Sequence, residues 1–230
     1  MIFTVLTLFP EILEPYFQES IMAKAVDKGL VRYKVIDIRD FALDRHRTCD
    51  DAPYGGGPGM ILKPEPLAAA LDAASACGKR VVYPTPSGRL FNAAYAEELV
   101  KQDEVVLICG RYEGIDQRII DLYVTDEVSL GDYVLSSGEL ASLVIVDTVY
   151  RLLDGVIRKE SLEEESFTQG LLEYPQYTRP EIFRGMKVPE ILLSGHHAHI
   201  ERWKREKSLE KTRRFRPELL GERNEEQKEG

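Results

Sequence analysis

Residues 105–116 read VVLICGRYEGID, and this stretch decides the fold. Its first part, Val105–Cys109, is apolar and mostly β-branched, a pattern typical of a buried strand. Gly110 ends the strand, and Gly110 and Gly114 frame an Arg-Tyr-Glu triplet. Because ligands of open α/β sheets bind beyond the carboxyl ends of strands, this loop predicts a binding site. The alternative interpretation is a surface turn with an Arg–Glu ion pair.

Strand-like and helix-like stretches alternate through the first 158 residues. The predicted strands are short and rich in β-branched or aromatic residues: Ile2–Leu8, Val31–Ile38, Arg80–Tyr83, Glu104–Cys109 and Tyr123–Val128. The predicted helices lie between them, in residues 12–26, at Pro64–Cys77, and at Ala93–Lys101 with Asn92 as the N-cap. Such alternation predicts an α/β domain with a largely parallel sheet.

Two further glycine-bearing loops follow predicted strands. Pro84–Gly88 (PTPSG) follows one strand, and Ser129–Leu140 (SLGDYVLSSGEL) follows another and leads into a helix. Backbone N–H groups of such loops bind polar ligands without charged side chains. Three loops with the same placement predict a pocket for one small molecule.

The helical pattern at Glu139–Leu153 is apolar almost all round. A helix of this kind is buried on most of its faces. The sequence leaves open whether the domain core or a subunit interface covers it.

Composition excludes several classes of protein. Of the 230 residues, 43% are apolar and 30% are charged, which excludes a collagenous or wholly disordered chain. The apolar runs are too short to span a bilayer, and the first residues are typical of a strand rather than a signal peptide. Three scattered cysteines without a CxxC pair argue against a disulfide scaffold or zinc knuckle and indicate the cytoplasm.

Charge is distributed unevenly along the chain. The net charge of −9 argues against bulk positive charge as the basis of nucleic-acid binding. Residues 176–219 nevertheless carry 11 basic and 6 acidic side chains, many of them in a predicted helix at His197–Arg214. This basic segment predicts that the C-terminal part of the chain binds a polyanion locally. For the histidines that begin this helix, capping or phosphate contact is favoured over metal binding.

Two other segments carry candidate functional residues. The loop Pro53–Met60 (PYGGGPGM), preceded by Asp50 and Asp51, is either a tight turn or an ordered loop that a ligand or RNA approaches closely. Near residue 159 the chain becomes polar, as in a linker. The acidic run Glu163–Glu165 is either solvated or, because Ser166-Phe167 anchors its end, supplies a carboxylate base.

Together these segments resemble the TrmD family, the bacterial tRNA (guanine-N1)-methyltransferases that modify guanosine at tRNA position 37. The similarity covers essentially the whole chain. It is carried by FTVLTLFPE, DDAPYGGGPGM, CGRYEGID, SLGDYVLSSGELA, SFTQGLLEYPQYTRP and VPEILLSGHHAHIERWK.

The resemblance implies a SPOUT-type architecture. Residues 1–158 would form an α/β domain with a trefoil knot that binds S-adenosylmethionine, residues 159–170 an interdomain linker, and residues 171–230 a small basic helical domain that binds tRNA and ends in a frayed tail. It also implies a cytoplasmic homodimer without membrane association, whose active sites lie at the subunit interface. Dependence on Mg²⁺ is implied too, although no dedicated protein site for the ion is visible in the sequence.

The resemblance also assigns residues. Those that would hold the methyl donor are Thr85, Pro86, Gly110, Tyr112, Glu113, Leu130, Gly131, Asp132, Tyr133, Val134 and Leu135. Those that would contact the substrate are Glu173, Asp50, Gly59, Arg202, Lys204 and Arg205. The catalytic residues would be Glu165 and Arg151. Glu165 stands where the family usually has Asp, which keeps the acid–base function and changes its reach.

These assignments predict a mechanism. Guanine N1 carries a proton at neutral pH, so Glu165 would accept that proton while Arg151 donates hydrogen bonds towards O6. Two alternatives remain: a non-catalytic RNA-binding module, and a methyltransferase of the same fold that acts on rRNA. Stabilisation by S-adenosylmethionine would separate the enzyme from the binding module.

Overall fold

The structure is a computed structural model that describes residues 1–168 and 170–221. It divides into two compact units, Met1–Ile157 and a second unit that begins at Arg158. Residues 222–230, which belong to the predicted frayed tail, lie outside the described residues.

The first unit alternates strands and helices. Its elements are β1 (Ile2–Thr7), α1 (Pro10–Phe17), α2 (Ser20–Asp27), β2 (Arg32–Asp37), a 3-10 turn (Ile38–Phe41), β3 (Asp50–Asp51), β4 (Ile61–Leu62), α3 (Pro64–Ala73), β5 (Arg80–Leu90), α4 (Ala93–Leu99), β6 (Glu104–Ile108), α5 (Gln117–Tyr123), β7 (Asp126–Ser129) and α6 (Gly138–Tyr150). The predicted N-cap is confirmed, because the Asn92 side chain accepts a hydrogen bond from the Tyr95 amide.

Five strands form one parallel sheet in the order β2-β1-β6-β5-β7. In its centre, Val5 of β1 pairs with Val35 on one side and with Leu107 on the other. The predicted α/β class and parallel sheet are therefore confirmed. The trefoil knot stays a prediction.

Alternate residues of each central strand enter two different cores. Val105 and Leu107 pack in one cluster with α1, α2, α4 and α6, whereas Val106 and Ile108 pack in the other with α3 and α5. Because both faces of the sheet are covered by helices, the central strands are apolar on both sides. This burial explains why the run in residues 105–109 is continuous rather than alternating.

The structure corrects two predicted boundaries. Strand β5 continues through the predicted loop Pro84–Gly88, and its register jumps because Pro84 and Arg89 both pair with Val128. The intervening residues therefore bulge out of the strand. The strand predicted from Tyr123 begins at Asp126 instead, because the Asp116 carboxylate accepts the Arg118 amide and starts α5.

Helix α6 has an exposed apolar face. Ile145, Val146 and Val149 are fully buried, whereas Leu140 and Val144 are 52% and 48% exposed. The core interpretation thus accounts for most of the helix. The domain core does not cover Leu140 and Val144, however, and both side chains are exposed in the single chain.

The second unit contains α7 (Lys159–Glu163), β8 (Ile182–Phe183), β9 (Met186–Lys187), α8 (Glu190–Leu193) and α9 (His197–Phe215). The predicted basic helix is confirmed as α9, one residue longer than predicted. Helix α7 lies inside the segment interpreted as a linker, where Lys, Glu and Leu are good helix formers. Within the described residues, no helix is long and apolar enough to cross a membrane.

Candidate active site

A bulge within β5 and two loops, one after β6 and one after β7, surround one cavity of about 250 Å³. The bulge of β5, the loop at Gly110–Gly114 and the loop that leads into α6 each contribute to its wall. Ten of the predicted donor-binding residues line it: Thr85, Pro86, Gly110, Tyr112, Glu113, Leu130, Gly131, Tyr133, Val134 and Leu135. Asp132 is not among the lining residues. The pocket predicted from three separate loops is thus present as one cavity.

The end of β6 and the start of α6 are in direct backbone contact. The Gly138 amide donates a hydrogen bond to the Gly110 carbonyl at 2.8 Å. A Cβ atom on Gly138 would lie 2.7 Å from the Gly110 nitrogen and 2.9 Å from Cys109 Cα. Only glycine leaves room for this approach, which fixes one wall of the cavity.

Tyr83 completes this wall, although it was not predicted from the sequence as a site residue. A Cβ atom on Gly110 would lie 2.8 Å from Tyr83 Cε2, so the ring packs directly on the glycine. Burial raises the pKa of the Tyr83 phenol, which therefore stays protonated. Its position at the end of a predicted strand was the available signal.

The glycine-rich loop packs on the Arg-Tyr-Glu loop. The Glu113 amide donates to the Met60 carbonyl and the Leu62 amide to the Gly114 carbonyl, each at 3.0 Å. A Cβ atom on Gly59 would lie 2.5 Å from Glu113 Cγ, and Gly59 has a φ of +88°. The end of the glycine-rich loop is therefore ordered against the chain itself, and its contact with a ligand or RNA stays a prediction. Asp50, on β3, pairs with Leu62 in the same region.

A buried carboxylate lies behind the cavity wall. Glu139 is fully buried, and its Oε1 accepts hydrogen bonds from Thr7 Oγ1 at 2.7 Å and from Arg111 Nε at 3.5 Å. The Arg111 guanidinium also lies over the Phe9 ring, 4.3 Å from its centroid. The surface-turn interpretation is therefore wrong for Arg111, which is held by Glu139 rather than by its neighbour in the loop. Glu139 was not predicted from the sequence as a site residue.

Cys109, the last residue before the loop, is chemically inert. Burial raises the pKa of its thiol strongly, and the nearby negative charge of Glu139 adds to the effect. Its Sγ lies 3.3 Å from Ser142 Oγ. A thiol that stays protonated is a poor nucleophile, so the site does not support thiolate catalysis.

The second unit has its own cavity, of about 490 Å³. Five predicted site residues line it: Glu165, Glu173, Arg202, Lys204 and Arg205. Two candidate carboxylates and three cations of α9 are therefore grouped in one place. Arg151, the other predicted catalytic residue, belongs to the first unit, where it directly follows α6.

The backbone around Glu173 is held by polar side chains. Its amide donates to Ser166 Oγ at 2.9 Å, and its carbonyl accepts from Lys211 Nζ at 3.0 Å. One residue earlier, the Leu172 amide donates to Thr212 Oγ1 at 2.9 Å. Since Thr212 and Lys211 lie on α9, the carboxylate segment is fixed to the basic helix.

Lys204 is surrounded by acidic and aromatic partners. Its Nζ lies 3.2 Å from Glu164 and 3.1 Å from Glu201, and 4.8 Å from the centroid of the Tyr174 ring. The hydrogen bond from Tyr174 and the contacts with Lys204 lower the pKa of Glu164, which is therefore ionised at neutral pH. Of the three predicted substrate-contacting cations, Lys204 thus has its charge balanced within the chain.

The side-chain capping predicted for the histidines at the start of α9 is not found at His196, and phosphate contact stays a prediction. His196 is the N-cap residue, and its side chain makes no capping hydrogen bond. In the described part of the chain, no group of three or more His, Cys, Asp or Glu residues is arranged to hold a metal ion.

Comparison with known proteins places these features in one family. The family described as tRNA (Guanine-1)-methyltransferase TrmD matches residues 1–222. This match confirms the resemblance drawn from the motifs.

Individual relatives carry the same enzyme name as the family. A tRNA (guanine-N(1)-)-methyltransferase of Treponema denticola is 63% identical over 220 residues, which are 96% of this chain and 90% of the relative. The protein of the same name from Treponema pallidum is 62% identical over 94% of this chain and 86% of its own length. The one from Borreliella burgdorferi is 58% identical over 95% of this chain and 92% of its own length.

Proposed function

Because this chain belongs to the tRNA (guanine-1)-methyltransferase family TrmD, we propose that it transfers the methyl group of S-adenosylmethionine to N1 of guanosine at tRNA position 37. The family is a class of enzymes that use S-adenosylmethionine. The observation that carries the proposal is the convergence of the β5 bulge and the loops after β6 and β7 on one cavity.

The residues around that cavity fit the methyl donor. A Cβ atom added at Gly110 would lie 2.8 Å from the Tyr83 ring, and one added at Gly131 would lie 2.9 Å from the Tyr133 ring. Glycine at these positions therefore lets both rings pack against the backbone of the cavity wall. Backbone groups of residues 130–135 would supply donors and acceptors for an adenine base, and Glu113 would supply a negative charge for the ammonium group of the donor's amino-acid part. When bound, the donor supplies an electrophilic methyl group on a sulfonium.

The chain's own residues then act on the guanine. Glu165 would accept the N1 proton and keep it, which would free the N1 lone pair to take the methyl group. Negative charge that develops on the base would spread to O6, where Arg151 would donate hydrogen bonds. The donor would supply the methyl group with loss of a neutral thioether.

Positioning contributes more to this reaction than the base does. General-base catalysis typically raises the reaction rate ~10²–10⁴-fold, which corresponds to ~3–5 kcal/mol of activation free energy. Holding two reactants in line contributes ~7–11 kcal/mol. The hydrogen bonds that fasten Glu173 to α9 support a role for its carboxylate in holding the guanine. Arg202 and Arg205, beside it, would contact RNA phosphates, with Lys204 at their edge. Asp50 and Gly59 would meet the RNA from the glycine-rich loop.

The assembly and setting belong to the same proposal. A homodimer with shared active sites would cover Leu140 and Val144, the exposed apolar residues of α6. Mg²⁺ would act through water or RNA. The three free cysteines, two of them buried, suit a reducing cytoplasm.

The Glu165→Gln substitution tests the proposed base. The amide cannot accept the N1 proton, so single-turnover methylation of unmodified tRNA should fall at least ~10²-fold. Binding of S-adenosylmethionine, measured by calorimetry, should not change, because Glu165 is not among the residues that line the donor pocket. The control is Glu181→Gln, an exposed residue of the second unit, which should methylate at the wild-type rate.

Near-wild-type methylation by Glu165→Gln would remove this residue from the base role and leave Glu173 as the next candidate. Absence of thermal stabilisation by S-adenosylmethionine in the wild-type protein would instead favour a non-catalytic RNA-binding module.

A further inference from the structure

We propose that Glu139 is the buried charge that makes the donor pocket prefer the cationic methyl donor to the neutral thioether product. The inference rests on the proposed function, since it concerns the same pocket. It assigns a specificity role to a side chain that the mechanism above does not use.

Glu139 is an unusual residue to find in this position. It is 0% exposed, and a buried carboxylate is costly unless it is paired and hydrogen-bonded. Oε1 has two hydrogen-bond donors, Thr7 and Arg111. Oε2 lies 3.3 Å from Arg111 Nε yet accepts no hydrogen bond. Glu139 also lies in the first turn of α6, where the helix dipole favours a negative charge.

The carboxylate is one layer behind the cavity wall. Its partner Arg111 lines the cavity, as does the preceding residue Gly138. The Arg111 side chain is only 20% exposed, because Phe9 covers one face of its guanidinium and Glu139 holds its Nε. The pair itself is therefore largely shielded from water, and electrostatic interactions are stronger there than in solvent.

The charges at the cavity leave a negative balance. Among the described residues that line it, the charged side chains are Arg111 and Glu113. Glu139 offsets the charge of Arg111, so Glu113 remains uncompensated. Without Glu139, the positive Arg111 would cancel Glu113, and the pocket would be neutral on balance.

The two natural ligands differ by that one unit of charge. S-adenosylmethionine carries a positive sulfonium, whereas S-adenosylhomocysteine, the product, has a neutral sulfur and is otherwise the same apart from the methyl group. A pocket that is negative on balance binds the cation more tightly than a neutral pocket does. The ratio of the two dissociation constants therefore depends on the charge of Glu139. Changes in the contacts with the adenosine and amino-acid parts affect both ligands equally and cancel in the ratio.

The experiment measures both dissociation constants by calorimetry for the wild-type protein and three variants. Glu139→Gln should lower the preference for S-adenosylmethionine over S-adenosylhomocysteine about tenfold. Arg111→Gln should raise it, because the negative charge of Glu139 is then unopposed. The double variant, which has the same balance of charge as the wild-type pocket, should bring the ratio back towards the wild-type value. Thr7→Val is the matched control, since it removes a hydrogen bond to Glu139 and keeps the charge.

If Glu139 had a purely structural role, its loss would weaken the binding of both ligands together. It could not shift the ratio of the two dissociation constants in opposite directions in Glu139→Gln and Arg111→Gln. An unchanged ratio in Glu139→Gln and Arg111→Gln overturns the inference, whether or not the separate affinities fall. If Glu139→Gln does not fold, the rise expected for Arg111→Gln and its reversal in the double variant decide the question. A wild-type protein that binds neither ligand contradicts the proposed function itself, whereas normal binding with a fixed ratio contradicts only the role of Glu139.

Discussion

At Gly138 the first turn of α6 meets the backbone of β6 with no room for a side chain. A methyl group there would lie 2.7 Å from the Gly110 nitrogen, and neither backbone can move aside without displacing the sheet or the helix. Gly138→Ala should therefore cost about 1–3 kcal/mol of unfolding free energy and weaken binding of S-adenosylmethionine, because it separates two walls of the pocket.

The measurement is denaturant unfolding together with calorimetry of donor binding. Gly221→Ala is the control, since a methyl group at that glycine would meet nothing within 4 Å. A Gly138→Ala protein with unaltered stability and donor affinity would show that the close approach is not required.

Residues of the site differ in how visible they are in the sequence. Gly110 and Glu113 follow a continuous apolar run, so their place at a strand end could be predicted, and the structure puts both on the cavity wall. Glu139 could not be found in this way, because its partner Thr7 is 132 positions away in the chain. Nothing in the local pattern of an apolar helix shows that one polar side chain points inward to meet it.

Helix α9 shows how one element can carry two surfaces. Its basic residues are mostly exposed, yet Ser208 and Thr212 on another face are buried. Thr212 Oγ1 donates to the Ser208 carbonyl at 2.7 Å and accepts from the Leu172 amide at 2.9 Å. A buried hydroxyl with both bonds made is what fastens the Glu173 segment to the helix.

Thr212→Val should destabilise the second unit by about 1–3 kcal/mol, because valine has the same shape but leaves the Leu172 amide without an acceptor. Denaturant unfolding of the whole chain provides the measurement. The matched control is Thr148→Val on α6, because Thr148 Oγ1 also donates to a carbonyl four residues earlier, at 2.8 Å, while no hydrogen bond to its oxygen is recorded. Equal effects of the two substitutions would contradict the anchoring role of Thr212.

The element boundaries that were predicted incorrectly have physical explanations. The Pro-rich run Pro84–Gly88 has the composition of a loop. The residues at its two ends, Pro84 and Arg89, nevertheless both pair with β7, so the run stays within the strand as a bulge. The start of β7 was placed too early because Tyr123 favours strands locally, whereas the cap at Asp116 makes it the end of α5. In both places tertiary pairing or capping outweighs composition.

At the scale of the whole molecule, periodicity was sufficient to predict the α/β class and the parallel sheet. The change of composition near residue 159 lies close to the boundary between the two units, at Ile157 and Arg158. A knot depends on the order in which the chain passes through itself, which no local pattern encodes, so it was implied only by the resemblance and stays a prediction.

As proposed, the first unit binds the methyl donor and the whole chain methylates guanine N1 at one tRNA position. The most direct test incubates the full chain with S-adenosylmethionine and two tRNA transcripts that differ only in having guanosine or adenosine at position 37, followed by mass-spectrometric mapping of the methylated nucleotide. We expect 1-methylguanosine at position 37 of the first transcript and no methylation of the second. Methylation at another nucleotide, equal methylation of both transcripts, or no methylation of either would contradict it.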